Sequence, residues 1–311
     1  MKLSHPNISK CAYGAAPPKT IALAALPLMM MVLTIWPCFS LTTTMPPPDN
    51  LIVSAVPPIP QSIADHADRY IHFRQAFLTD WHPLRREILI NTRFADTSQV
   101  HRVSFPGGDR QQLTFYQDRV AGGSFQPTQG KYFVFAKDRG GDEFFQKYRF
   151  DPLTKEAHLL TDGKSRNTGG AWSNKGDLLA YNSSRRNGKD NDVYVVAPQK
   201  PETDKCLVQL TGEGWDVCDW SPDDRTILLS ETISANESYL WLLSRASGKI
   251  VPLTPRNAKE ISSYREAVFS RDGRGVYATT DSASEFRVLT YIDLQSGQQK
   301  ALSGKIKWDV E

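Results

Sequence analysis

The sequence predicts an all-β chain folded as a β-propeller of four-stranded antiparallel blades, with five blades recognisable and the first strand of a sixth. Two phased markers predict it. The first is a large aromatic followed by a polar turn and an apolar run: Trp81-His82-Pro83, Phe125-Gln126-Pro127, Trp172-Ser173-Asn174, Trp220-Ser221-Pro222 and Phe269-Ser270-Arg271. Their aromatics are 44, 47, 48 and 49 residues apart. The second keeps the same beat: Leu113-Thr114, Leu160-Thr161, Leu210-Thr211, Leu253-Thr254 and Leu302-Ser303. A period in the forties with two markers in phase is the mark of a tandem array of blades.

The elements follow in order. Residues 1–40 carry Lys2, Lys10 and Lys19 and no acid, then an apolar run from Ile21 to Trp36 and small residues around Cys38-Phe39-Ser40. This is the order of an export signal with its cleavage site. The run Ile21–Leu41 is also long enough to be an uncleaved membrane anchor. Residues 41–69, with Pro46-Pro47-Pro48 and Pro57-Pro58-Ile59-Pro60, read as an extended linker with one helical turn at Ile63–Tyr70. The propeller spans 70–311, with blades at about 70–114, 115–161, 162–211, 212–254 and 255–303 and a partial one at 304–311.

Blade three is the clearest. A strand ends at Ala171-Trp172 and a turn occupies Asn174–Asp177. Strands follow at Leu178–Asn182, Val193–Val196 and Cys206–Leu210, separated by polar stretches at Ser183–Asp192 and Pro198–Asp204. Blade four repeats this at Trp215–Trp220, Ile227–Glu231, Tyr239–Leu243 and Ile250–Leu253. Blade five does so at Arg265–Phe269, Gly275–Thr279, Phe286–Tyr291 and Lys300–Leu302. Asp223-Asp224 and Asp272-Gly273 serve as turns between first and second strands, and the aromatic is a wedge between blades. Lys305–Val310 predicts the opening strand of a sixth blade whose three partners the sequence does not contain.

Charge narrows the function classes. Three of the 37 basic residues and none of the 34 acids lie in residues 1–40, so the remainder is balanced at 34 each. That gives no electrostatic case for a nucleic-acid partner. Cys206 and Cys218 fall on an outer strand and on the next blade's inner strand. About 14 Å separates such strands, beyond the reach of a disulfide, so two free, mostly buried thiols are expected.

Catalytic and metal motifs are missing. No Gly-x-Ser-x-Gly elbow occurs; Gly122-Gly123-Ser124-Phe125-Gln126 ends in Gln. The six histidines form no pair at helical spacing, and no H-E-x-x-H or C-x-x-C pattern exists. Gly163-Lys164-Ser165 lacks the glycine five residues earlier that a phosphate loop needs, and Ser270-Arg271-Asp272-Gly273 is a blade turn. No catalytic, cofactor or metal residue is assigned. The Ser183–Asp190 loop reads as a solvated tip. Lys137–Gln146 is denser: Asp138, Arg139, Asp142 and Glu143 stand beside Phe144 and Phe145. Two acids next to two aromatics could bind a basic group or a peptide amine. The alternative is a charged hairpin tip turning on Gly140-Gly141, with Phe144 and Phe145 starting the third strand.

The stretch Trp220–Leu229, Trp-Ser-Pro-Asp-Asp-Arg-Thr-Ile-Leu-Leu, resembles the W-S-P-D-G repeat of TolB-type propellers, which also builds the propeller of prolyl oligopeptidase-family serine peptidases. The second resemblance is wider. Pro57–Pro60, Tyr70–Trp81, Ile90–Phe94, Gln99–Val103 and Pro106–Gly108 look like the entry to that peptidase propeller, and Asp138–Gln146 looks like its dipeptidyl and acylaminoacyl peptidase branch. The match covers about Pro57–Glu311. It implies an N-terminal propeller that caps a C-terminal α/β-hydrolase domain and limits substrate access by size. The Ser-Asp-His triad of that family lies in the hydrolase domain, which this sequence does not contain, so no catalytic residue carries over. Some relatives hold a substrate's amino terminus with acidic propeller residues; Asp142-Glu143 does not match that motif residue by residue.

Three functions remain in play: a non-catalytic propeller of an exported peptidase, partnered by a hydrolase domain or separate chain; a TolB-like periplasmic protein-binding scaffold; and a five-bladed propeller binding a small molecule.

Overall fold

The computed structural model describes residues 43–49, 51–256 and 261–310. The leader therefore lies outside the described residues. The chain divides into two compact units, one ending at Ile71 and one beginning at His72. In the first, Thr44 bridges Pro60 and the Met45 amide donates to Ile59 O (2.8 Å). A helix, α1, runs from Gln61 to Ile71. It is longer than the single turn expected at Ile63–Tyr70 and occupies part of the segment read as linker.

The second unit consists of five antiparallel four-stranded sheets, each with its strands in sequence order. Blade one is β1 (Phe77–Trp81), β2 (Ile88–Thr92), β3 (Gln99–Val103) and β4 (Gln111–Gln112). Blade two is β5 (Val120–Phe125), β6 (Phe133–Lys137), β7 (Gln146–Asp151) and β8 (Glu156–Leu159). Blade three is β9 (Asn167–Trp172), β10 (Leu179–Ser183), β11 (Asp192–Ala197) and β12 (Lys200–Val208). Blade four is β13 (Trp215–Trp220), β14 (Thr226–Ser234), β15 (Glu237–Ser244) and β16 (Ile250–Pro252). Blade five is β17 (Tyr264–Phe269), β18 (Gly275–Thr280), β19 (Val288–Asp293) and β20 (Gln299–Ala301).

Several expectations need correction. The polar stretch Pro198–Asp204 is mostly strand, because β12 starts at Lys200 and pairs with β11 from a tight turn. β7 starts at Gln146, so Phe144 and Phe145 precede it. Residues 304–310 form no strand. Instead the Val310 amide donates to Arg287 O (2.9 Å), and Arg287 pairs with Asp309 at 3.1 Å. Cys206 and Cys218 are free, but Cys206 is exposed, at the rim of an outer strand, and Cys218 half-buried.

The apolar core is split into four clusters, one between each pair of successive blades. Each inner blade is covered on both faces, so its middle strands read as continuous apolar runs. In β14, Ile227 and Leu229 face blade three while Leu228 faces blade five. The same period in β18 turns Val276 and Ala278 toward blade four and leaves Tyr277 36% exposed on the far side.

The first marker works twice. Its polar residue closes the turn: the Ser173, Ser221 and Ser270 hydroxyls accept the amides of Leu178, Thr226 and Gly275 (2.9–3.1 Å). His82 Nδ1 and Gln126 Oε1 do the equivalent work in blades one and two. Its aromatic reaches the preceding blade: Trp172 Nε1 donates to Ser124 Oγ and Trp220 Nε1 to Ala171 O, both at 3.0 Å. Asp80 and Asp219 latch the other joints by accepting the Phe125 amide (2.7 Å) and the Phe269 amide (2.8 Å). Asp224, read as a turn residue, also crosses blades: its carboxylate accepts the Asn174 and Lys175 amides (2.6 and 3.1 Å). In the second marker, the hydroxyls of Thr114, Thr161, Thr254 and Ser303 accept third-strand amides at 2.8–3.2 Å, where the fourth strand peels away.

Every inner strand carries a register shift just before its aromatic. Gly122 and Gly169 sit there with φ of 71° and 57°. Left-handed backbone of this kind costs a residue with a β-carbon about 1–2 kcal/mol, and Glu266 occupies the corresponding site of blade five at φ 52°.

Trp220 is 1% exposed and Trp81 63% exposed. Trp220→Ala should therefore cost about 3–5 kcal/mol, whereas Trp81→Ala should stay within about 0.5 kcal/mol. Urea unfolding of the two variants checks this.

Candidate ligand-docking site

With this strand order, the loops joining second to third strands share one rim with the crossings between blades. On that rim, the loop from β6 to β7 forms a built structure. Gly140, Gly141 and Glu143 take positive φ values of 59°, 80° and 62° and reverse the chain. The acids cap the reversal. Asp138 Oδ2 accepts the Glu143 amide (3.2 Å), and Asp142 Oδ1 accepts the amides of Phe144 (2.9 Å) and Arg139 (3.4 Å). Asp118, on the crossing from blade one, accepts the Gly140 amide (2.9 Å) and pairs with Lys137 at 3.7 Å. The Lys137 ammonium also lies over the rings of Tyr116 and Tyr148, 5.1 and 5.9 Å from their centroids.

Gln146 ties this loop to the next crossing. Its Oε1 accepts from the Thr161 hydroxyl (2.7 Å) and the Gly163 amide (2.9 Å), and its Nε2 donates to Ser165 O (2.7 Å). The two segments enclose a hollow of about 510 Å³. Phe144, Tyr148 and Leu159 form its apolar wall, and Arg139 and Lys164 its basic edge. Among the described residues no carboxylate is paired with either cation. Burial raises the Tyr148 phenol above its ordinary value, with Arg139 acting in the opposite direction, so the ring is a neutral wall at physiological pH.

The structure brings Asp138, Arg139 and Asp142 to this hollow and leaves Glu143 outside its lining, 4.0 Å from Arg166. Asp138 and Asp142 each use one carboxylate oxygen to hold their own loop, and Arg139 and Lys164 add cations with no paired carboxylate among the described residues. The neighbouring Ser183–Asp190 loop is braced rather than merely solvated. Arg185 bonds Asp204 (2.6 Å) and Arg186 bonds both Asp192 (2.8 Å) and Asp190 (2.9 Å). Among the described residues no group of three or more His, Cys, Asp or Glu is placed to hold a metal ion.

Lys147, unremarked in the sequence, points into the joint between blades two and three. Its ammonium donates to Gly169 O and lies 5.8 Å from the Tyr181 ring centroid, and no carboxylate among the described residues pairs with it. Burial alone lowers its amine to about 8. Periodicity could not reveal it, because it sits beside Tyr148 in a strand alternating across two buried faces.

No protein-family model matches the chain, and no curated protein is similar to it in sequence. Solved structures share its fold. A structure from a study of two prolyl endopeptidases aligns over 78% of this chain and 38% of its own, at 11% identity and a TM-score of 0.62. An oligogalacturonate lyase in complex with manganese aligns over 73% and 66%, at 13% identity and a TM-score of 0.58. A putative TolB from Agrobacterium tumefaciens aligns over 74% and 80%, at 17% identity and a TM-score of 0.53. The chain thus spans well under half of the prolyl endopeptidase structure. The shared fold is the propeller of TolB-like proteins and prolyl peptidases.

Lys147 gives a pH signature. Its folded value of about 8 lies below the ordinary 10.5. Across that window the unfolded chain holds a proton the folded chain has released, so the lysine's contribution to stability rises with pH and its penalty is full below 8. Lys147→Met should be more stable than the parent at pH 7, by on the order of 3 kcal/mol, with the gap closing toward pH 10.5. Denaturant titrations of both proteins across this range give the comparison.

Proposed function

We propose that this chain is the propeller part of an exported prolyl oligopeptidase-type peptidase, docking and gating peptides for a hydrolase domain or a separate hydrolase chain rather than cleaving them. The observation that carries this reading is the alignment of 78% of the chain with a prolyl endopeptidase structure. It is supported by the dense loop whose sequence resembles the peptidase branch and which borders a hollow of about 510 Å³. In this reading the apolar wall of Phe144 and Tyr148 takes a side chain, Arg139 and Lys164 take a peptide carboxylate, and residues 1–40 direct export. No helix among the described residues is long and apolar enough to cross a membrane.

The two ends of the blade series support a partner. Trp81 of blade one is 63% exposed at the inner-strand site whose aromatic counterparts are covered in blades two to five, Phe77 beside it is 56% exposed, and Tyr277 is open on blade five. These are surfaces that in the interior of the array meet another blade, and unpaired sheet surfaces of this kind invite association. The same exposure disfavours a five-bladed ring closed on itself. A second reading, a TolB-like protein-binding scaffold, draws on the alignment that covers 80% of the Agrobacterium structure.

Fluorogenic proline-containing peptides tested with the purified chain should bind without being cut, with affinity reduced about tenfold by Phe144→Ala. Cleavage would contradict the docking role, and peptide binding indifferent to Phe144→Ala would favour the scaffold. Sedimentation should show self-association that Trp81→Lys reverses.

A further inference from the structure

A second hollow, independent of the docking loop, lies in the joint between blades four and five. Its volume is about 310 Å³. Ser230, Thr232, Ser234, Ser238, Ser263 and Glu266 are among the residues that line it. Four of these five hydroxyls already have partners in the protein: Ser230 bonds the Cys218 thiol, and Ser234 Oγ accepts the Asn236 amide (3.3 Å). Ser238 Oγ bonds both the amide and the carbonyl of Tyr264 (2.7 and 2.8 Å), and Ser263 Oγ accepts from Arg265 Nε (3.2 Å). Thr232 has no side-chain bond to another described residue. Arg265 is drawn away to Ala235 O (3.0 Å), and no described cation pairs with Glu266.

The backbone at Glu266 sharpens the point. Counting three residues back from the inner-strand aromatic gives Gly122 in blade two, Gly169 in blade three and Glu266 in blade five. All three are left-handed, at φ 71°, 57° and 52°. Glycine adopts this conformation freely and glutamate does not. Blades one and four place Leu78 and Val217 at this count without a left-handed φ, and where the strand does turn left-handed the other two copies are glycine. What glutamate adds is an exposed carboxylate on the wall of a hydroxyl-lined hollow, and strain held at one residue is a recurrent mark of a ligand site.

We propose that this hollow binds a small polyhydroxylated ligand, a mono- or disaccharide, with Glu266 accepting hydrogen bonds from neighbouring hydroxyls of the sugar. Serine and threonine hydroxyls both donate and accept, which suits a ligand made of groups that do the same. An unpaired carboxylate supplies the charge-assisted bond that fixes its orientation.

The test is saturation-transfer NMR and calorimetric titration of the whole chain with methyl glucoside, maltose and galacturonate, with ethylammonium as a cationic control. At least one saccharide should bind the parent chain. Glu266→Gly should weaken that binding about tenfold or more while raising the melting temperature, since it relieves the left-handed glutamate. Glu266→Gln should weaken binding with the melting temperature unchanged. Saccharide binding indifferent to Glu266→Gly, binding of ethylammonium alone, or no binding of any saccharide to the parent would each overturn the proposal. A variant that loses binding and also melts lower would do so as well, because the glutamate would then be structural.

Discussion

What holds this array together is a latch at the end of each inner strand. There the chain bulges, turns a large aromatic toward the blade before it, and places a polar atom against that neighbour. Asp80 holds the Phe125 amide, Ser124 and Ala171 receive the indole N–H groups of Trp172 and Trp220, and Asp219 holds the Phe269 amide. Four different pairings satisfy one geometric requirement. Each apolar cluster between blades is built around that seam, so a blade's packing and its neighbour's position are set together. Where each blade packs on its sequence neighbours, stability accumulates joint by joint, and a blade packed on one side only lacks one joint. The exposure of Trp81 and Tyr277 is the direct consequence.

The fold was legible in the sequence because the latch needs a bulky ring and the turn needs a polar acceptor, and both recur in every blade. The strand ends of blade four were read closely, since Trp215–Trp220 is the observed β13. The fourth strands of blades four and five were read to within a residue, but that of blade three was not, because an outer strand faces solvent and its residues need not be apolar. Lys200–Val208 therefore looked like a loop over half its length. The Lys305–Val310 stretch has strand-like composition, yet it forms no strand and bonds back onto Arg287.

The candidate site was legible only in part. Composition pointed to the Lys137–Gln146 loop, and the structure places a hollow there. The roles of the charges were not readable, because whether a carboxylate is free or capping amides depends on backbone geometry that glycine pairs only hint at. Asp138 and Asp142 turn out to hold the loop with one oxygen each, while Arg139 and Lys164 stand at the edge with no paired carboxylate among the described residues. Glu266 and Lys147 escaped for a related reason. Each is unusual only relative to its place in the array, one in a glycine's conformation and the other without a counter-charge in a joint.

Native-state hydrogen exchange at the latch amides tests the account most directly. Phe125 and Phe269 donate to carboxylates of the preceding blade rather than to their own sheets. If the latches hold the array, these two amides exchange only through openings as costly as those that expose the central strands β6 and β18, and Asp80→Ala frees the Phe125 amide selectively. Exchange of both amides at the rate of the exposed rim loops, in the unaltered chain, would contradict it.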